Sequence, residues 1–312
     1  MTLEQLGRLS NYSVASATAV LALAFVAYAA QWAFARNSMV RPEPVKVPVG
    51  ADGAAAEPEA DRSYAAGGIG FSLTALAEVI LLVGVVTRGL AAERVPWGNM
   101  YEFSCIAIAF ALAVYLLLVR MWDIDWVGVL VTIFATIVLG SSMLFVYVPP
   151  GPLVPALDSY WLVIHVLGAI TAGAAFLVGA AASVLYLIKD RAERNTPEGQ
   201  RTGFLWRMPA SASIDQVAYR VHAFAFPIWT FAALIAGPIW AQAAWGRYWG
   251  WDAKEVWAFI TWVFYAAYLH ARATAGWRGK AAAILALVAF GTFVFNYVGV
   301  NLFVGGLHSY AK

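Results

Sequence analysis

The sequence predicts an all-α fold, a polytopic bundle of about eight membrane-spanning helices, and three observations carry that expectation. Hydrophobic residues make up 62% of the 312-residue chain and charged residues only 12%, more apolar surface than one soluble core of this size can hide. The apolar residues fall in runs near the ~20 residues that cross a hydrocarbon core. Lys and Arg collect between those runs in alternate connections, as basic cytoplasmic loops do.

The first run, residues 12–34, exceeds the apolar stretch of a cleaved signal and reads as a retained first helix. Residues 37–67 are rich in Ala, Pro, Glu and Asp and lack apolar periodicity. They are expected to form a disordered cytoplasmic linker, so that residues 1–68 make one unit and 69–312 the membrane domain. Further spans are expected at 70–90, 101–121, 126–148, 160–188, 217–243, 256–273 and 281–304, with ends set only to within a few residues.

Eight crossings leave both termini on one side. Of the 20 Lys and Arg residues, 14 fall in one set of alternate connections, among them Arg36, Arg62, Arg120, Arg194, Arg207, Arg272 and Lys280. These connections are read as cytoplasmic, which turns both termini outward. The outer face then gathers residues 91–100, the Pro-rich 149–159, the aromatic 244–255 and the tail after Val304. No inverted repeat is visible, which disfavours a transporter built from two similar halves. A net charge of +2 gives no basis for a nucleic-acid partner.

The densest feature is Trp240-Ala-Gln-Ala-Ala-Trp245-Gly-Arg-Tyr-Trp249-Gly-Trp251-Asp252-Ala-Lys254-Glu255-Val-Trp257, followed by Trp262. Interfacial tryptophans anchor many membrane helices, and a flat hydrophobic macrocycle also suits such π surfaces; spacing alone leaves both readings open. Asp252 and Glu255 match a helix capping box, which is compatible with a role in a site. Arg247 can pair with a ligand carboxylate or with lipid phosphate.

The four histidines are His165, His222, His270 and His308. His165 lies roughly 10 Å inside the outer end of the fifth span, and His308 follows the last span on the same side. Each alone suits a structural role, but two imidazoles flanking an aromatic platform form an axial set for haem iron. Zinc is disfavoured because no third or fourth ligand is evident. His270 lies about 18 residues from Asp252, or ~27 Å along a helix, so it is an interfacial residue or an inner station on a transit path. His222 is expected to be structural, and Glu78 and Glu102 are candidates as intramembrane acids. Cys105 is the only cysteine and no C-x-x-C-H occurs, so dithiol chemistry and covalent c-type haem attachment to this chain are both disfavoured.

These residues resemble the haem-handling proteins with a tryptophan-rich WWD segment, specifically the CcsA/ResC type of system II cytochrome c biogenesis, called CcsB in some bacteria. The resemblance rests on 245–262, on Tyr268-Leu-His270-Ala-Arg272, and on Trp97-Gly-Asn99-Met-Tyr101-Glu102. Ser159-Tyr-Trp-Leu-Val-Ile-His165, Gly299-Val-Asn301-Leu and Leu307-His308-Ser-Tyr310 support it. It implies that residues 69–312 handle haem, with the WWD segment at 245–257. Haem b is the non-covalent cargo, His165 and His308 are axial ligands to its iron, and His270 lies on a path from the cytoplasm. Trp245, Trp249, Trp251 and Asp252 belong to the binding segment. Where family members often carry proline after the aspartate, this chain has Ala253.

The resemblance further implies a multi-pass protein of the inner (plasma) membrane and a subunit of a cytochrome c synthase with a separate ResB-type membrane protein and apocytochrome c as partners. Haem would be presented to the C-x-x-C-H thiols of the apocytochrome, whose own histidine replaces one ligand. Two rivals remain: an intramembrane haem electron-transfer protein, and a transporter of another amphipathic ligand.

Overall fold

The computed structural model describes residues 1–34, 58–122, 124–152, 157, 159–274 and 276–307, and among them all regular structure is helical. The helices are α1 (Leu3–Phe34), α2 (Pro58–Ala92), α3 (Met100–Trp122), α4 (Gly128–Phe145), α5 (Tyr160–Asn195), the short α6 (Phe204–Arg207), α7 (Ser211–Phe231), α8 (Gly237–Trp245), α9 (Ala253–Ala273), α10 (Lys280–Val294) and the single turn α11 (Val300–Phe303). Two π-helical segments, Ala232–Ala236 and Phe295–Gly299, join α7 to α8 and α10 to α11. The chain is a multi-pass membrane protein.

Helix α1 packs along α2 and α4, whereas α5 is central and touches α3, α7 and α10. The central position follows from α5's side chains, since its buried face runs Ala172, Gly173, Ala174, Ala175, then Gly179, Ala180, Ala181, Ala182 and Ser183. Small residues let neighbouring backbones approach closely in a bilayer, where no hydrophobic drive operates between helices. A Cβ at Gly173 would lie 2.5 Å from the Phe293 ring of α10.

Seven helical stretches are long and apolar enough to cross a membrane, the joined Ser211–Trp245 among them. The eighth expected span is α9. Its 21 residues have sufficient length, but Glu255 sits in its first turn and His270 and Arg272 in its last. Its two ends still reach the two ends of the bundle. Glu255 lines a cavity together with His165 near the start of α5, and Arg272 Nη1 contacts both oxygens of Asp215, at 2.7 and 2.8 Å, near the start of α7.

One boundary needs correction. The expected linker at 37–67 is helical from Pro58 onward, because its alanines favour helix. Within this stretch Ser63 is buried and donates to the Gln31 carbonyl at 3.0 Å. The remainder of the expected linker lies outside the described residues.

Candidate functional site

At one end of the bundle the segment before α3, Leu157 and the loop after α8 converge over a cavity of about 1160 Å³, counted with its open mouth. Three connections that the sequence assigns to one face are thus brought together. The walls are mainly aromatic: Trp97, Phe103, Trp240, Trp245, Tyr248 and Trp249, with Trp229 and Phe293 towards the middle of the bundle. A concave, largely apolar site with a few polar groups is the usual form of a small-molecule pocket.

His165 is in the wall. Its Nδ1–H donates to the Ala232 carbonyl at 2.8 Å, which puts the imidazole lone pair on Nε2 and fixes the ring plane. The carbonyl stands at the first residue of the π segment, where it also accepts from Gly237 N–H. Local sequence explains this geometry: Pro238 has no N–H to continue an α-helical ladder, and a π turn accommodates the gap. The His165 ring stacks on Trp240 at 5.9 Å and 10°, and Trp240 meets Trp245 edge-on at 4.8 Å. The second π segment contributes Asn296 and Tyr297 to the opposite wall.

The tryptophan loop is held by its own polar groups. Gly246, at φ +73°, ends α8 in the left-handed region, which glycine adopts at no steric cost. Glu255 accepts from Gly250 N–H at 2.8 Å and Asp252 N–H at 3.1 Å, and Asp252 caps α9 by accepting from Lys254 N–H. The capping box read from the sequence is therefore present. The other Asp252 oxygen accepts from Leu307 N–H at 3.0 Å, tying the chain after α11 to the start of α9.

Trp245 and Trp249 line the cavity, but Trp251 does not. It is 70% exposed, has φ +56° and stands edge-on to Trp249 at 5.8 Å. The three-tryptophan platform is thus divided between wall and surface. His308 lies outside the described residues. His270 is exposed near the far end of α9, away from the cavity.

His222 is wholly buried between Phe176, Tyr265 and Tyr268, with no well-formed hydrogen bond at either ring nitrogen among the described residues. Glu102 is a structural node. It pairs with Arg88 at 2.9 Å and Arg94 at 2.8 Å and accepts from Gly98 N–H, so it supports the Trp97–Asn99 wall. Glu78 is buried in α2 and does not border the cavity.

Sequence reasoning assigned no role to Lys254 or Asn296, yet both line the cavity. Asn296 Oδ1 and Trp249 Nε1 are buried without a hydrogen-bond partner among the described residues. A lysine at a helix start and an asparagine within an apolar run were the available signals.

Residues 97–308 match the family described as Cytochrome C assembly protein. The chain is similar to the cytochrome c biogenesis protein CcsA of Synechococcus sp. (strain JA-2-3B'a(2-13)), at 34% identity over 305 residues, covering 78% of this chain and 84% of that protein. It is also similar to CcsA of Guillardia theta, at 34% identity over 264 residues, covering 78% and 85%. A solved structure titled Cytochrome c Heme Lyase CcmF shares the fold with a TM-score of 0.62 at 16% identity. That match covers 97% of this chain and 50% of the other, so this chain spans half its length. With the matched region running from the Trp97 wall through the tryptophan loop, the chain belongs to the cytochrome c assembly protein family, as a CcsA-type member.

Proposed function

We propose that the cavity binds haem b non-covalently at the outer face of the inner (plasma) membrane and presents it for covalent attachment to apocytochrome c in system II. The observation that carries this reading is His165, an imidazole oriented by the Ala232 carbonyl in a tryptophan-rich wall. The donor set suits haem: Nε2 is the iron-facing nitrogen in this tautomer, and the stacked indoles match a flat macrocycle. His308, one residue beyond the Leu307–Asp252 contact, supplies the second axial ligand. Trp245, Trp249 and Asp252 shape and hold the site, and Trp251 extends it outward at the mouth.

The chain supplies orientation and axial ligation. The vinyl groups of the bound macrocycle take the two thiols of the apocytochrome C-x-x-C-H, each S–H adding across one C=C, and the apocytochrome histidine then displaces one of the two ligands. Haem enters past His270 from the cytoplasmic side. A separate ResB-type membrane protein completes the synthase, and both termini face outward, in keeping with the distribution of Lys and Arg.

The electron-transfer rival needs paired histidines deep in the helices. His222 is the deep one, and it faces Phe176, Tyr265 and Tyr268 rather than a second imidazole. The deciding experiment is the optical spectrum of the protein purified with its partner. Replacing both His165 and His308 by Ala is expected to abolish the low-spin haem spectrum and cytochrome c maturation. Unchanged haem content and maturation in that double variant would overturn the ligand assignment.

A further inference from the structure

Several polar groups in the cavity wall are already engaged. Glu255 accepts from Gly250 and Asp252 N–H, His165 Nδ1 donates to Ala232, and the Asn301 amide donates to the Tyr297 carbonyl at 2.6 Å. Two donors remain. The Trp249 indole N–H is buried without an acceptor among the described residues. Lys254, in the first turn of α9, lines the same cavity, and among the described residues its ammonium makes no hydrogen bond or ion pair.

Lys254 stands where a lysine is poorly placed for the protein alone. The helix N-terminus carries the positive end of the macrodipole and favours anions. A half-buried ammonium also loses hydration, and here Asp252 attracts it without forming an ion-pair contact. Asp252 is the neighbouring carboxylate, and its two oxygens accept from Lys254 N–H and Leu307 N–H. A cation kept beside a helix N-terminus, in the same cavity wall as an orphaned indole N–H, is matched by an acceptor with negative charge. The aromatic walls require the rest of the ligand to be flat and apolar.

We propose that Lys254 and Trp249 form a carboxylate subsite that takes a propionate arm of the bound macrocycle and so fixes which edge of the ring faces the mouth. The proposal rests on the cavity being a haem site, and it adds a specificity determinant that axial ligation does not supply. Iron coordination alone leaves the ring free to turn about the ligand axis, whereas an ammonium and an indole N–H in the cavity wall pin it. Lys254 is here a binding residue for a group remote from the iron.

The test compares iron protoporphyrin IX with its dimethyl ester, in which both carboxylates are masked, by titrating the full chain in detergent and following the Soret band. Wild type is expected to bind the diacid about tenfold or more tightly than the ester, the usual scale for a hydrogen bond to a charged group. Lys254→Gln should weaken the diacid alone and remove most of that preference, while Lys254→Arg keeps it. Trp249→Phe, which retains the ring and removes the N–H, should shift the preference the same way by a smaller factor, and it carries the test if Lys254→Gln fails to fold. Equal wild-type affinity for diacid and ester, or equal weakening of both by Lys254→Gln, overturns the subsite and leaves the haem reading standing. Binding of neither porphyrin overturns both.

Discussion

A methyl group added at Gly179 would lie 2.5 Å from Cε1 of His222, so this glycine on α5 is the space into which the α7 imidazole fits. Gly179→Ala is expected to destabilise the protein by about 1–3 kcal/mol through overpacking, read as a lower thermal midpoint in detergent. Adding His222→Ala should relieve that clash, so the two changes will not be additive; additive midpoints would show that the contact is looser than described. Glu102 calls for a larger effect. It is buried between two arginines, and Glu102→Gln leaves both guanidinium groups without their counter-charge, at a cost of ~3 kcal/mol or more. The same variant should loosen Trp97–Asn99, which proteolysis or hydrogen exchange would detect. At this scale the sequence revealed the candidate histidines, because type and position identify them. It did not distinguish Trp249 from Trp251, since an irregular loop has no period from which facing can be read.

Among the elements, the start of α9 carries the most connections. Asp252 caps the helix with one oxygen and holds Leu307 with the other. Asp252→Ala is expected to cost about 1 kcal/mol of cap energy and to raise amide exchange both in the first turn of α9 and at Leu307. Asp252→Asn, an equally good cap residue, should restore the first and most of the second. Exchange changes confined to α9 would refute the tether. The capping box was legible because Asp and Glu three residues apart announce it. The π segments were not, although Gly237-Pro238 marked one of them: a proline reports an interrupted ladder without saying which way the helix compensates. Helix ends beyond the hydrocarbon were also hidden. Helix α1 begins at Leu3 rather than near Tyr12, in polar turns that hydropathy does not register.

For the whole molecule, hydropathy and charge distribution gave eight runs and an orientation. Seven stretches meet the requirement for length and apolarity, while α9 is too polar at its ends to be identified by composition, and its span follows from its contacts at both ends of the bundle. Cysteine labelling separates the topologies. Cys105 is buried and can be replaced by Ala, after which single cysteines are introduced in place of Gln5, Arg247, Glu198 and Trp277. Gln5→Cys and Arg247→Cys are expected to react with a membrane-impermeant maleimide in intact cells, and Glu198→Cys and Trp277→Cys only after permeabilisation. Labelling of Trp277→Cys from outside would mean that α9 does not cross, which would remove the eighth span and turn the two termini to opposite sides.

Each π segment has a consequence for angular phase. A π turn holds one residue more than an α turn, and one residue is worth ~100° of rotation about a helix axis. Trp240 meets His165, and Trp245 meets Trp240, because the chain between Ala232 and Ala236 carries that surplus residue, and Asn301 reaches the cavity from the far side of a second surplus between Phe295 and Gly299. Deleting one residue in either segment would keep every other side chain and turn those beyond it a little over a quarter turn away. The site is therefore as sensitive to residue count as to residue identity.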